Sequence, residues 1–237
     1  YGDHRDLHLS IRRQRQMCIR DSYKYSDVFR GIGFPVDLSN HEYPVKPFLN
    51  QESVEQEILS KNPNKKIIGI APFAAHQGKN YPLDLMQKVI AYLQKDYIIY
   101  LFGGGNDNLK QLNIWEYVYD NVIDLSNKLN LEQQIIIIYY IDLMISMDSA
   151  NGHLAANYNI PVLTLWGMTH PFCGFKPFDQ SQENSITIDR NHFPYIPTSI
   201  FGNKIPKGYE NAFRTIDPKI VIEKSLEILS TTTLRHS

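Results

Sequence analysis

Two short, largely apolar runs, LMISM (143–147) and VLTLW (162–166), flank a polar stretch, DSANGHLAANYNIP, that has room for one turn and one small helix. Runs without polar alternation suit strands covered on both faces, and such strands belong to parallel sheets. A strand–turn–helix–strand unit of this kind sets its turn at the carboxyl end of a strand. That is where a parallel sheet holds its ligands, and where the first N–H groups of the helix have no partner within the helix. Residues 141–171 are therefore expected to hold a ligand, an anion above all.

The same pattern recurs upstream. IIGIAPF (67–73), Tyr97–Phe102 and Asn121–Leu125 read as strands. Between them, Leu83–Leu93 shows apolar residues at Leu85, Met86, Val89, Ile90 and Leu93, the spacing of one helix face. Asn108–Tyr119 and Leu131–Tyr140 read as helices, although the IIII of 135–138 would also suit a strand. Ile186–Ile188 suits a short edge strand, and Asp217 caps a last helix that opens on Pro218. Five strands alternating with helices predict right-handed crossovers and an α/β fold: a Rossmann-like, largely parallel sheet with helices on both faces. Its ligand-facing loops are Pro72–Lys79, Gly103–Asp107, Asp124–Lys128, Asp148–His153 and Gly167–His170.

Residues 23–66 read as connection, with a short helix ended by Gly31 and Gly33 and a second helix over Gln51–Ser60. GIGF has two glycines and no strand–helix pattern after it, so it is not a nucleotide fingerprint. Residues 1–22 hold five of the nine arginines and none of the fifteen lysines. Within them RRQRQMCIRDS resembles translated sequencing-adaptor read-through, and the segment is set aside from fold reasoning in preference to a basic arm for an acidic partner. The stretch 190–214 has no periodicity and is left unexplained.

A chain of 237 residues, 43% hydrophobic, has the size for one or two domains. Its formal charge of −1 disfavours nucleic acid as a partner. No apolar run approaches the ~20 residues that span a bilayer, and no signal peptide opens the chain, so a cytoplasmic protein is expected. Cys18 and Cys173 have neither CxxC spacing nor a histidine cluster, which argues against a disulfide framework and against zinc.

Asp148 and Ser149 stand where a helix begins, and capping alone would explain both. His153, four residues on, shares that end of the helix, and Asn151 and Gly152 keep the approach small and polar. Lys79, in HQGKNYP, could bring an ammonium to an anion at the strand ends. Gly103–Gly105 could be a plain turn or could let a phosphate approach backbone, and Asp124 could accept from a sugar hydroxyl, although a strand-end cap explains it slightly better. A hydrolase is rejected, because GxSxG is absent and groups on one helix turn cannot form a triad. A metal site has no ligand spacing such as HExxH to support it.

DSANGHLAANYNIPVLTLWGMTHP resembles the D-[ST]-G-x-x-H-x-A-A…P-x-x-x-[LF]-[WF]-G-x-T-x-P signature of glycosyltransferase family 9, the ADP-heptose:lipopolysaccharide heptosyltransferases. IGIAPFAAHQGKNYP is similar to that family's strand and K-x-[WY]-P loop, and YLFGGGND to its strand and glycine turn. The resemblance implies a GT-B fold of two Rossmann-like domains facing a cleft. Residues 67–237 would be the carboxyl-terminal, donor-binding domain, and 23–66 the remnant of the amino-terminal domain with its linker.

By position, the resemblance makes Lys79 the lysine on the donor phosphate and places Asp148, Ser149, Gly152 and His153 around the donor diphosphate and sugar. Gly104 and Leu129 fall near the nucleotide pocket. The general base is expected on an acidic residue of the amino-terminal domain and has no counterpart here. Ala150 replaces the family glycine, and Phe73-Ala74-Ala75 replaces a Thr/Ser-rich phosphate loop.

The implied reaction is inverting sugar transfer from a nucleotide-diphosphate donor, ADP-heptose foremost, to a lipopolysaccharide or other envelope glycolipid acceptor. No cofactor or metal is implied, and peripheral contact with the inner membrane would bring the acceptor within reach. A UDP-sugar-using GT-B transferase or epimerase, and a non-catalytic nucleotide-binding or interaction module, stay open as alternatives.

Overall fold

The computed structural model describes residues 21–45, 64–103 and 109–233. Gly104 and the helix expected over Gln51–Ser60 lie outside the described residues, as does most of 1–22. In chain order the elements are α1 (Asp21–Gly31), β1 (Ile67–Ala71), α2 (Leu83–Leu93), β2 (Ile98–Leu101), α3 (Leu109–Val118), β3 (Val122–Asp124) and α4 (Leu131–Tyr140). There follow β4 (Leu143–Met147), α5 (Ala150–Asn157), β5 (Val162–Trp166), β6 (Ser185–Thr187) and α6 (Pro218–Thr231).

All strand pairs are parallel and the sheet order is β3-β2-β1-β4-β5-β6. This is the doubly wound Rossmann arrangement, with six strands where the main pattern gave five, because the short edge segment joins as β6. The chain runs outward from β1 through β2 to β3, then returns to place β4 on the other side of β1. The strand order therefore reverses between β1 and β4, and a crevice opens at their carboxyl ends.

The continuous apolar runs are explained by cover on both faces. One core joins Ile68, Ile70, Ile99, Leu101, Leu143, Ile145, Leu163 and Leu165 to the inner faces of α2, α3 and α6. The intervening residues, Ile67, Ala71, Ile98, Tyr100, Met144 and Val162, pack with α4 and α5. Alternate side chains thus go to opposite layers, and all of these are buried. The IIII segment is helical: Asn130 and Gln133 form a reciprocal capping box at its start, and Ile136–Ile138 are buried.

At the amino end of β4, Asp142 Oδ2 accepts from the Ile67 N–H at 2.8 Å and ties the entrance of β4 to that of β1. Residues 41–43 lie against the far loop, with the Tyr43 hydroxyl donating to Asp179 Oδ2 at 2.7 Å and the His41 ring edge-on to Phe178.

Candidate functional site

β1 continues into a loop and a single 3-10 turn, Gln77–Lys79, which ends on the lysine. β4 ends one residue before Asp148. Because β1 and β4 are neighbours, the two loops meet over the crevice, and Lys79 Nζ lies 2.8 Å from Asp148 Oδ2. The side chains retain only 13% and 5% of their exposure. The contact is a charge attraction without aligned hydrogen-bond geometry, for Oδ2 makes no hydrogen bond. A lysine and a carboxylate 69 positions apart in sequence are thus paired at the switch point.

Ser149 occupies the N-cap position of α5 with extended backbone, yet its hydroxyl caps nothing and is buried without a partner. The capping explanation for Asp148 and Ser149 therefore does not describe this helix, and neither side chain satisfies its first-turn N–H groups. Gly152 is buried where α5 crosses the sheet, and a Cβ there would stand 2.5 Å from Ser146 Oγ and 3.3 Å from Val162 Cγ1. Its lack of a side chain lets the helix start sit down on β4 and β5. His153, one turn into α5, is exposed.

Asp124 ends β3 and is buried, but its Oδ1 accepts from both the N–H and the hydroxyl of Ser126, at 2.8 and 2.6 Å. That carboxylate closes its own turn. Leu129 is half-buried in the next loop and packs on the α4–α5 side of the sheet. Among the described site residues, Lys79, Asp148, Ser149, Gly152 and His153 therefore gather at β1, β4 and α5, while Asp124 and Leu129 belong to the β3–α4 loop.

Two contributors carry little or no signal in the sequence. Thr169, after β5, is fully buried and its hydroxyl has no hydrogen-bond partner. Its place in the G-x-T-x-P signature was the available sign. Gly202 lies in the unexplained 190–214 stretch and touches the Lys79 stem; nothing in its surroundings in the sequence marks it. Beside Gly78 a cleft of about 300 Å³ opens between Gln77, Asn80, Tyr81, Met168 and Phe213.

His170 follows Thr169, and burial, with a smaller effect of the Arg190 charge, holds its imidazole down to about 4, so the ring is neutral near pH 7. Its Nδ1 accepts from the Phe172 N–H at 3.2 Å. Among the described residues no group of three or more His, Cys, Asp or Glu is placed to share a metal ion.

The arrangement brings together one lysine, one carboxylate and the first turn of a helix without a side-chain cap, groups that can together recognise an anion. The family profile described as glycosyltransferase family 9 (heptosyltransferase) matches residues 8–198, reaching back into the segment set aside above. The lipooligosaccharide heptosyltransferase 2 of Campylobacter jejuni is 22% identical over 231 residues, which are 93% of this chain and 70% of that protein. The glycosyl transferase family 9 structure from Veillonella parvula superposes with a TM-score of 0.70 at 19% identity, covering 90% of this chain and 60% of that one. The E. coli ADP-heptose LPS heptosyltransferase II gives 0.56 at 19% identity, covering 79% and 56%. The chain spans little more than half of the two solved proteins, and at such identities the superpositions speak for the fold. With a family profile matched along most of its length, the chain belongs to glycosyltransferase family 9.

Proposed function

We propose that this chain forms the donor side of a heptosyltransferase-type enzyme, one half of a GT-B pair. It would transfer a sugar from a nucleoside-diphosphate donor, ADP-heptose foremost, to a lipopolysaccharide-type acceptor. The observation that carries this is the buried Lys79–Asp148 pair at the switch point, beside a helix start that no side chain caps.

On this reading the donor diphosphate lies at the first turn of α5, accepting from N–H groups in the Ala150–Gly152 region. The Lys79 ammonium turns from Asp148 to a phosphate oxygen, and Asp148 is left to accept from a sugar hydroxyl. In the reaction, the acceptor hydroxyl oxygen bonds to the anomeric carbon from the face opposite the diphosphate. The carbon–oxygen bond to phosphate breaks, and the diphosphate leaves with the electron pair. Lys79 and the α5 amides offset the charge that grows there, which is the contribution these groups can make to rate. The hydroxyl proton passes to a carboxylate supplied outside residues 67–237. No described helix is long and apolar enough to cross a membrane, and the proposed location is the cytoplasmic side of the inner membrane, in peripheral contact with it.

Calorimetric titration with ADP and with UDP tests the reading, repeated for Lys79→Ala and His153→Ala. ADP should bind more tightly than UDP, and Lys79→Ala should weaken it by about tenfold to a hundredfold, as expected for one charge-assisted hydrogen bond of ~1.5–3 kcal/mol. Unchanged affinity in both variants removes the site, and preference for UDP moves the donor to another nucleotide class.

A further inference from the structure

The 190–214 stretch has no assigned role, yet it reaches the centre of the site. We propose that the loop Thr198–Lys204 is the positioning element of the Lys79 ammonium, with Gly202 as the residue through which it acts; this rests on the donor-site reading above. A lysine has four rotatable side-chain bonds and ordinarily loses much freedom when it is fixed. Here the side chain is only 13% exposed, so most of its length is enclosed by the protein.

Gly202 forms one wall. Its backbone is left-handed, φ 66°, and a Cβ built on it would stand 2.9 Å from Lys79 Cγ, 3.3 Å from Lys79 Cε and 3.0 Å from Thr169 Cγ2. The main chain of the loop therefore lies directly against the lysine stem and the threonine methyl. The approach is reciprocal, for a Cβ on Gly78 would meet the Gly202 carbonyl oxygen at 2.3 Å. Two glycines, one in each loop, permit a contact that any side chain would wedge apart.

The loop is held in this place by its own bonds. The Thr198 N–H donates to the Met168 carbonyl at 3.0 Å, and the Thr198 hydroxyl closes the loop on the Lys204 carbonyl at 2.6 Å. The Ser199 hydroxyl donates to Asn203 Oδ1 at 2.8 Å and accepts from the Asn203 N–H at 3.2 Å. Met168 and Thr169 follow β5, so the loop is fixed to the sheet next to the strand that carries Asp148. Asp148 attracts the tip of the lysine and Gly202 restricts its stem. The stem is thereby set in place before an anion arrives and only the ammonium tip has to turn, which favours binding by lowering the ordering required at that moment.

The test is ADP titration of the full chain in four forms: parent, Gly202→Ala, Lys79→Met, and the double variant. Gly202→Ala should weaken ADP by about tenfold, ~1.4 kcal/mol. The double variant should bind no more weakly than Lys79→Met alone, because a positioning residue has nothing left to position. Full additivity of the two losses, or parental affinity in Gly202→Ala, overturns the proposal. Ser199→Ala adds no atom and only loosens the loop. It should show a smaller loss that also vanishes in the Lys79→Met background, and the same two contrary results count against the proposal should Gly202→Ala fail to fold. Parental ADP affinity in Lys79→Met would instead refute the donor site itself, so the two failures are distinguishable.

Discussion

Lys79→Met should destabilise the protein as well as weaken its ligand, and a second substitution should separate the two effects. Lys79 Nζ is 2.8 Å from Asp148 Oδ2, with 13% and 5% of the two side chains exposed, so solvent does little to screen the pair. Removing one partner of a pair this deep strands the other charge, at about 3–5 kcal/mol. The first-turn amides of α5 begin two residues after Asp148 and partly compensate its charge, which places the expectation near ~3 kcal/mol. For a domain of this size that lowers Tm by roughly 6–12 °C.

Methionine keeps most of the apolar stem, so packing against Gly202 is largely retained. Asp148→Asn in the same background removes the stranded charge and should recover most of the stability, while ADP binding stays weak. Urea denaturation followed by circular dichroism at 25 °C gives the free energies of the parent, of Lys79→Met and of the double variant. A loss below about 1 kcal/mol in Lys79→Met would show a pair that behaves as a solvated surface contact. A double variant no more stable than Lys79→Met would assign the loss to the stem and refute the electrostatic argument.

Gly152→Ala forces a methyl to within 2.5 Å of Ser146 Oγ, so it should cost about 1–3 kcal/mol in urea denaturation, and Ser146→Ala should restore most of that; no recovery would place the conflict elsewhere. His170 has its folded-state value depressed from 6.5 to about 4, so its neutral form stabilises the fold fully above pH 6.5. That stability should be lost as pH falls from 6.5 toward 4, and His170→Asn, which keeps an acceptor for the Phe172 N–H, should flatten the decline; parallel profiles for the two proteins would sink the assignment.

Most of the sheet was legible because each element carries its own local signal. Leu83–Leu93 has a one-faced apolar period, and Leu143–Met147 and Val162–Trp166 are apolar runs bracketed by polar turns; all three have the expected boundaries. Leu131–Tyr140 was ambiguous from its isoleucines alone, and the deciding feature was the Asn130–Gln133 capping box, a pattern present in the sequence.

Asp124 illustrates the opposite case. A carboxylate at a strand end suits either a ligand group or a cap of its own turn, and only the structure shows that Asp124 Oδ1 accepts from Ser126 in an Asx turn. The Lys79–Asp148 contact could not be read from spacing, because it depends on β1 and β4 being neighbours, a property of the sheet order. Gly202 was hidden for the same reason: a glycine in an aperiodic segment acquires meaning only when the backbone it allows is seen against another loop.

The two aspartates at the ends of β4 show how one strand can serve both structure and chemistry. Asp142, at the amino end, has its carboxylate on the Ile67 N–H and helps to hold two strands in register. Asp148, at the carboxyl end, is just as buried in practice but has only a lysine beside it and no aligned hydrogen bond on Oδ2. Its neighbours share that condition. Among the described residues, six buried side-chain nitrogen or oxygen atoms make no hydrogen bond, and four of them belong to Ser146, Asp148, Ser149 and Thr169. Asp148 Oδ2 has the Lys79 ammonium 2.8 Å away to offset its charge, whereas each of the hydroxyls costs on the order of 1–3 kcal/mol relative to a satisfied one. The other two are indole nitrogens, of Trp115 and Trp166. The rest lie where β4 and β5 end, near the strand reversal, around one lysine and a helix start that no side chain caps. A polar, charged ligand seated there, as in the proposed donor site, would give these groups the partners that the protein itself does not.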